Sequence, residues 1–572
     1  MSNLSRPYAA PCGPAKGARH SVERARNRII VGAALFVVAF AVLAIRLGEL
    51  TLLRHDAEPA IARGGAAHGY AAERADVTDR NGVLLATSLG TASLYADAKL
   101  VIDADEAAAK LVKVLPDLDR DDVKAKLTSG RGFVWLKRNL TPRQHHEVNR
   151  LGIPGLDFKR EERRVYPTGA LAGHVLGYTD VDGRGIAGME MAFDDALRNR
   201  KVPVALSIDT RIQNVLAEEL HRAMAAFSAI GASGIVMDVR TGELLAMASL
   251  PAFDPNKPGA ADPDTMFNRA ALGVYEMGSV FKIFTVAMAL DSGTARLDSG
   301  YDASAPLKVS RFTIRDYHGK NRWLTVAEIF QHSSNIGAAR MALDVGGAGQ
   351  RAFLKKLGLL SATPIELPEV GLPLAPDPWR EINTMTIGFG HGVSVTPVQM
   401  AAAAAAMVNG GIYYRPTLAR RADNDPPAGR RVISARTSAE MRELMRLVVA
   451  SGTGKQADAP GYRVGGKTGT AEKVNGRTYK ARSLLSSFVG TFPIEDPRYL
   501  VLAIVDEPRG TKESHGFATG GWVAAPVVRR VVERMAPLVG IAPSEPPAPQ
   551  LPPSLRVEVR ERVPGGRGVA SN

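Results

Sequence analysis

Three short polar signals lie far apart in this chain, and they make chemical sense only if the fold closes long loops to bring them together. They are Ser279-Val280-Phe281-Lys282, Ser333-Ser334-Asn335 and Lys467-Thr468-Gly469-Thr470. The second begins 54 residues after Ser279, and the third begins 132 residues after Asn335. A lone Ser-x-x-Lys is an ordinary helix turn. Three such signals in this order, with Tyr275-Glu276-Met277-Gly278 leading into the first and Gly465-Gly466 into the last, are a constraint on topology. A helix start, a second helix start and a strand must converge on one point.

The residue types suit nucleophilic catalysis. A serine hydroxyl is a poor nucleophile until a base takes its proton. Lys282 lies three positions on, and i and i+3 share a helix face, so its amine can reach Ser279. A free lysine has a pKa of about 10.4. Burial and a second cation both lower that value, and Lys467 is the candidate second cation. Ser333 can relay a proton between an amine and a leaving nitrogen. Asn335 can offer its amide to a substrate backbone and orient Lys282. Lys467 to Thr470 reads as an edge strand on which Gly469 leaves room for a substrate backbone. The Thr468 and Thr470 hydroxyls suit a substrate carboxylate. A tetrahedral intermediate needs two backbone donors, and the N–H groups of Ser279 and Thr470 are the candidates.

A decoy overlaps the third signal. Gly461-Tyr-Arg-Val-Gly-Gly466-Lys467-Thr468 satisfies the Walker A pattern, and Leu500 to Glu507 imitates a Walker B strand. A P-loop needs a strand before it and a helix after it. Here a polar, turn-rich stretch, Ser451 to Pro460, precedes it. Asn475-Gly476 and the apolar run Leu484 to Phe492 follow it, which predicts a hairpin.

With 572 residues the chain has length for two or more domains. Ile29 to Ile45 is a run of 17 residues without charge. As a helix it measures about 25 Å, close to the bilayer core of about 30 Å, and Leu47 to Leu53 can extend it. A signal peptide is the competing reading, but Ala39-Phe40-Ala41 falls inside the apolar run with no polar region before it. Six basic residues and one acid precede the run, which predicts a cytoplasmic N-terminus with the bulk of the chain across the membrane. The one cysteine, Cys12, lies in that tail, so the exported part holds no disulfide and no thiol nucleophile. No His/Cys/Asp/Glu spacing suggests a metal. The net charge of +14 is spread without basic runs interleaved with aromatics, which reads as a solvated surface and not as a nucleic-acid site.

The chain divides into a cytoplasmic tail (1–28), a transmembrane anchor (29–53), a non-catalytic module (54–203), a catalytic domain (204–540) and a Pro-rich tail (541–572), read as disordered. In the module, Arg74 to Gly82 reads as a hairpin turn pinned by Asp79 and Arg80. Arg163-Arg164 and Gly185 to Glu190 read as structural. In the catalytic domain, Ser207 to Leu220 reads as a capped amphipathic helix. A second hairpin turns at Thr241-Gly242, an apolar helix starts at Thr396-Pro397 and includes Ala401 to Ala406, and strands run over Val464–Glu472, Ser486–Phe492 and Tyr499–Val505. A helix from Ala525 to Met535 closes it. Strands early and late with helices between imply an α+β fold: an antiparallel sheet with helices on both faces.

These elements together resemble the class B penicillin-binding proteins, and most of all the cell-division type, the FtsI-like peptidoglycan D,D-transpeptidases. The resemblance covers nearly the whole chain. It includes Leu245 to Pro251 with Asp254-Pro-Asn256, Gly388-Phe-Gly-His-Gly392 and Gly521 to Pro526 beyond the three signals. It departs at Met277 and Val280, where many relatives carry proline and threonine. It implies a penicillin-binding/β-lactamase-like transpeptidase domain on an elongated α+β pedestal of dimerisation type, held by one helix in the inner membrane with the catalytic domain periplasmic. It implies Ser279 as nucleophile, Lys282 as base, Ser333 as proton relay, and Asn335, Lys467, Thr468, Gly469 and Thr470 around the substrate. No cofactor or metal is implied. The implied partners are peptidoglycan stem peptides, β-lactams, a polytopic SEDS-type glycosyltransferase and other division proteins. An elongation-type transpeptidase, a D,D-carboxypeptidase and a protein acting mainly as a septal scaffold are the alternatives.

Overall fold

A computed structural model describes residues 34, 36–42, 74–200, 202–309, 312–422, 427–475 and 478–544. It falls into two compact units, Met1–Ala71 and Ala72–Asn572. In the first, residues 36–42 are helical and exposed. Among the described residues no helix is long and apolar enough to cross a membrane. Most of the expected anchor, the basic tail with Cys12, and the Pro-rich tail from 545 lie outside the described residues.

The second unit opens with β1 (Val77–Thr78) and β2 (Leu84–Ala96), paired antiparallel. The Asp79 side chain makes the turn. Its Oδ1 accepts N–H groups of Asn81 (2.7 Å) and Val83 (2.8 Å), and Gly82 adopts φ +84°. Its other oxygen accepts the Thr210 N–H and hydroxyl, so the turn is tied to the catalytic domain. β3 (Val134–Leu140) and β4 (Leu156–Val165) flank the long β2. β5 (Val204–Ala205) runs parallel to β1 and closes the sheet. Helices α1 (Ala104–Val114), α2 (Arg120–Leu127) and α3 (Pro142–Asn149), capped by Asp103, Asp119 and Thr141, cover the far end of this sheet.

This module has two halves with different cores. The far half encloses its own cluster, with Leu94, Ala108, Leu111, Val123 and Leu136 in it. The near half contributes Val77, Leu85, Tyr166, Val175 and Leu176 to a cluster shared with the catalytic domain. The near half also buries a charge cluster. Glu190, with no exposed surface, receives Arg74 Nε and Arg164 Nε, each at 2.7 Å. Removing Glu190 would take the shared carboxylate from two buried arginines, which makes these residues a structural lock.

In the catalytic domain, α4 (Thr210–Ala226) starts three residues later than the pattern predicts. Asp209 takes the cap, while the Ser207 hydroxyl donates to the Leu244 carbonyl at 2.7 Å and stays extended. β6 (Gly231–Asp238) and β7 (Leu244–Leu250) form the expected hairpin. With β8 (Gly465–Asn475), β9 (Thr478–Phe492) and β10 (Tyr499–Asp506) they build one antiparallel sheet in the order β8-β9-β10-β6-β7. The Walker-like stretch therefore runs into an edge strand with no helix after it.

Helices cover both sheet faces, and the side-chain alternation of the strands divides the core between them. Leu500, Leu502 and Ile504 of β10 join the cluster on one face, and Tyr499, Val501, Ala503 and Val505 join the other. The first face is filled by α5 (Lys282–Asp291), α6 (Val326–His332), α7 (Asn335–Lys356), α8 (Pro397–Val408) and α9 (Ala435–Ser451). The second is covered by α4 and α10 (Ala524–Met535). All twelve residues of α8 are buried. Its alanine run is therefore tight packing, and small side chains let the helix lie close to the sheet.

Candidate active site

Gly278, at φ +53°, bends the chain into a short 3-10 turn, Gly278–Phe281, from which α5 continues at Lys282. Ser279 thus sits in the tight turn before the helix, and its side chain points down the face on which Lys282 lies. Val280 and Phe281 are buried and hold this turn against the core. Lys282 is fully buried, and its Nζ lies 3.0 Å from Ser279 Oγ.

The second signal occupies the corner between α6 and α7. Ser333 ends α6 in the left-handed conformation, φ +60°, a costly choice for a residue with a Cβ. That conformation aims both its carbonyl (2.8 Å) and its hydroxyl (3.1 Å) at Lys282 Nζ. Asn335 opens α7. Its Oδ1 accepts from Lys282 at 2.7 Å and its Nδ2 donates to the Arg315 carbonyl at 3.0 Å. The amide oxygen is thus one of the acceptors around the Lys282 amine. Lys467, fully buried on edge strand β8, reaches Ser333 Oγ at 3.0 Å and its Nζ lies 5.8 Å from the Phe330 ring centroid. The three distant signals therefore share one hydrogen-bonded cluster, with Ser333 Oγ between the two amines.

The donor inventory accommodates a neutral Lys282. A neutral amine has two N–H donors and one lone pair. The Ser333 carbonyl and Asn335 Oδ1 only accept, so they use both donors of Lys282. The lone pair is left for the two hydroxyls, Ser279 Oγ at 3.0 Å and Ser333 Oγ at 3.1 Å. Electrostatics favours the same state: burial first, and then repulsion from Lys467, hold Lys282 well below its ordinary 10.5, against a smaller pull from Asp316. Burial also lowers Lys467, to about 7. A buried amine with a lowered pKa, beside a second buried lysine, fits the base for a serine nucleophile.

The remaining residues of the third signal follow Lys467 along the same edge strand. Thr468 Oγ1 lies 2.7 Å from Thr453 Oγ1, and Thr470 Oγ1 accepts the Gly520 N–H at 3.0 Å. Thr470 only accepts in this contact, so its O–H stays available to a substrate carboxylate. At Gly469 the space of a Cβ is taken by the Met277 carbonyl, 2.6 Å away, Val280 Cγ2 at 2.7 Å, and the Ser487 hydroxyl. The glycine is needed for the nucleophile turn to dock on the edge strand. This docking also sets the backbone of Gly278 on the Thr470 carbonyl, 2.6 Å from the position of a Gly278 Cβ. The candidate oxyanion donors, the N–H groups of Ser279 and Thr470, belong to these two touching segments.

Asp316 escaped the sequence reading. It accepts Ser334 Oγ at 2.7 Å, Asn335 N at 2.6 Å and Ile336 N at 3.0 Å. It satisfies the first donors of α7, which is broken by a kink at Gly346 (φ +82°), and sits at the positive end of the first segment's dipole. An acid 18 residues before its partner, in a loop, carries no periodic signal.

Comparison with known proteins agrees along the chain. Residues 232–533 match the model for the penicillin binding protein transpeptidase domain, and residues 70–219 match the penicillin-binding protein dimerisation domain. A probable peptidoglycan D,D-transpeptidase FtsI of Caulobacter vibrioides is 45% identical over 492 residues, 84% of this chain and 83% of that protein. The peptidoglycan D,D-transpeptidase FtsI of Escherichia coli K12 is 31% identical over 507 residues, 82% of this chain and 84% of that protein. A crystal structure of penicillin binding protein 3 from Mycobacterium tuberculosis in complex with aztreonam superposes with a TM-score of 0.66 at 25% identity, covering 83% of this chain and 98% of that one.

Proposed function

The chain belongs to the penicillin-binding protein family, as a peptidoglycan D,D-transpeptidase of the FtsI type, and we propose that Ser279 is the residue through which it crosslinks septal peptidoglycan. The observation that carries this reading is the Ser279 Oγ to Lys282 Nζ distance of 3.0 Å at a buried amine.

In this reading the Ser279 oxygen attacks the carbonyl carbon of the penultimate D-alanine of a donor stem peptide. The Lys282 lone pair takes the hydroxyl proton. The N–H groups of Ser279 and Thr470 face the oxygen on which negative charge develops. The carbon–nitrogen bond breaks, and the proton passes through the Ser333 hydroxyl to the leaving amine, which departs as D-alanine. An acceptor amine from a neighbouring stem peptide then attacks the ester carbonyl. It gives a proton back through the same amines, and Ser279 recovers its hydroxyl. Lys467, as the second cation, holds the donor's terminal carboxylate. A β-lactam enters the first half of this cycle and stops there, because its leaving amine stays tethered.

The finer placement follows from the sequence. A single helix over 29–53 anchors the protein in the inner membrane, with the N-terminus cytoplasmic and the catalytic domain periplasmic. The pedestal sets the height of the active site and meets a polytopic SEDS-type glycosyltransferase. Incubation of the full chain with a pentapeptide donor and an amine acceptor tests the chemistry. The expected result is one D-alanine released per crosslink formed. Release of D-alanine with water as the only acceptor would identify a carboxypeptidase.

A further inference from the structure

Glu276, three residues before Ser279, is a carboxylate in the site region with no part in the proton chain. Its Oε1 accepts the Gly392 N–H at 2.7 Å, and its Oε2 lies 3.9 Å from His391 Nδ1. The segments around it are zipped together. Tyr275 and Val395 exchange backbone hydrogen bonds at 2.9 and 3.0 Å, and the Gly278 N–H donates to the Gly390 carbonyl at 3.2 Å. The Thr285 hydroxyl, from α5, holds the Gly388 carbonyl at 2.7 Å. The loop 388–392 therefore lies directly against the turn that carries the nucleophile.

There is no slack in this stack. Gly390 adopts φ +91°, and a Cβ there would run into the Gly278 carbonyl. Gly278 in turn rests on the Thr470 carbonyl. Loop, nucleophile turn and edge strand β8 thus form three backbone layers in contact. A shift of the loop displaces Ser279 relative to Lys282 and Thr470. Burial pushes His391 down to about 4, so it is neutral near pH 7 and the carboxylate acts as a hydrogen-bond acceptor more than as a countercharge.

We propose that Glu276 is a positioning residue: through its hydrogen bond to the Gly392 N–H it holds the Gly388–Gly392 loop on the nucleophile turn and so fixes Ser279 for attack. This rests on Ser279 being the nucleophile. Misplacement of reacting groups by about 1 Å can cost about a hundredfold in rate, so the effect belongs in the bond-forming step and not in ligand binding.

The test is stopped-flow acylation of the full chain in detergent by a fluorescent penicillin, resolved into the acylation rate constant and the noncovalent dissociation constant. Glu276→Ala is expected to lower the acylation rate constant by about tenfold to a hundredfold and leave the dissociation constant unchanged. Glu276→Gln keeps the acceptor oxygen in place and should restore most of the rate. Glu276→Asp keeps the charge but falls one methylene short of Gly392, and should resemble Ala. A wild-type rate in Glu276→Ala, a loss confined to the dissociation constant, or Asp outperforming Gln would each overturn the proposal. If the Ala variant does not fold, the order of Gln and Asp decides alone. A wild-type chain that takes no label at all would remove the transpeptidase reading itself.

Discussion

Ser333 Oγ stands 3.1 Å from one lysine amine and 3.0 Å from another, and this one hydroxyl decides how protons leave Ser279. Replacing it by alanine removes the bridge while its carbonyl still accepts from Lys282. Ser333→Ala should lower β-lactam acylation by about a hundredfold or more, the usual range for a positioned proton-transfer group, measured by single-turnover kinetics. The pH profile follows from the two amines. Acid protonates Lys282 and removes the base, so acylation falls as pH falls. Above about pH 7, Lys467 loses its proton in the free protein and the cation for a carboxylate is lost. The second-order rate constant should therefore be bell-shaped, and Lys467→Met should abolish the alkaline limb. Both lysines and Ser333 were legible in the sequence, because the chemistry fixes their types and their order. Asp316 was not, since a loop carboxylate that caps a helix across 18 residues leaves no spacing to detect.

At the scale of elements, strands were more legible than helix starts. The register of β8 against β9 pairs Lys467 with Val489 and Thr470 with Ser486, within the hairpin expected from the apolar run after Asn475-Gly476. The start of α4 was misplaced because both Ser207 and Asp209 can cap, and only tertiary contacts choose between them. The role of Gly469 was also not readable: its partner is the Met277 carbonyl, 192 positions away in sequence and adjacent in space. Gly469→Ala should therefore leave the sheet folded but push the nucleophile turn off the edge strand. The expected outcome is a far-ultraviolet spectrum like the wild type's, with acylation reduced about tenfold or more. Wild-type acylation would show that the turn tolerates the shift.

At the scale of the molecule, the pedestal is not one body apart from the catalytic domain. Its near half shares a core with that domain, whereas its far half closes around a core of its own. The sequence reading divided the chain between 203 and 204 but could not show that β5 crosses this seam to pair with β1. Excising residues 91–161 and joining Gly90 to Glu162, which already face each other across β2 and β4, by an Asn-Gly turn should leave a folded protein. It should acylate normally in vitro and fail to support septal crosslinking in cells. Normal crosslinking by this variant would mean the far half is not a docking element. Stability carries the signature of the buried amines. Lys467 has an ordinary pKa of 10.5 when unfolded and about 7 when folded. Between these values the unfolded chain binds more protons, so stability rises with pH over that window. The thermal midpoint should climb from pH 7 to pH 9, and Lys467→Met should flatten the climb.

The identity of the nucleophile is tested by one mass-spectrometric measurement. Full-length protein is incubated with benzylpenicillin, digested and mapped. The expected result is a single penicilloyl adduct on the peptide that contains Ser279, absent from a Ser279→Ala variant that melts at the wild-type temperature. An adduct on Ser333 or another residue, or one that persists in Ser279→Ala, would contradict the mechanism.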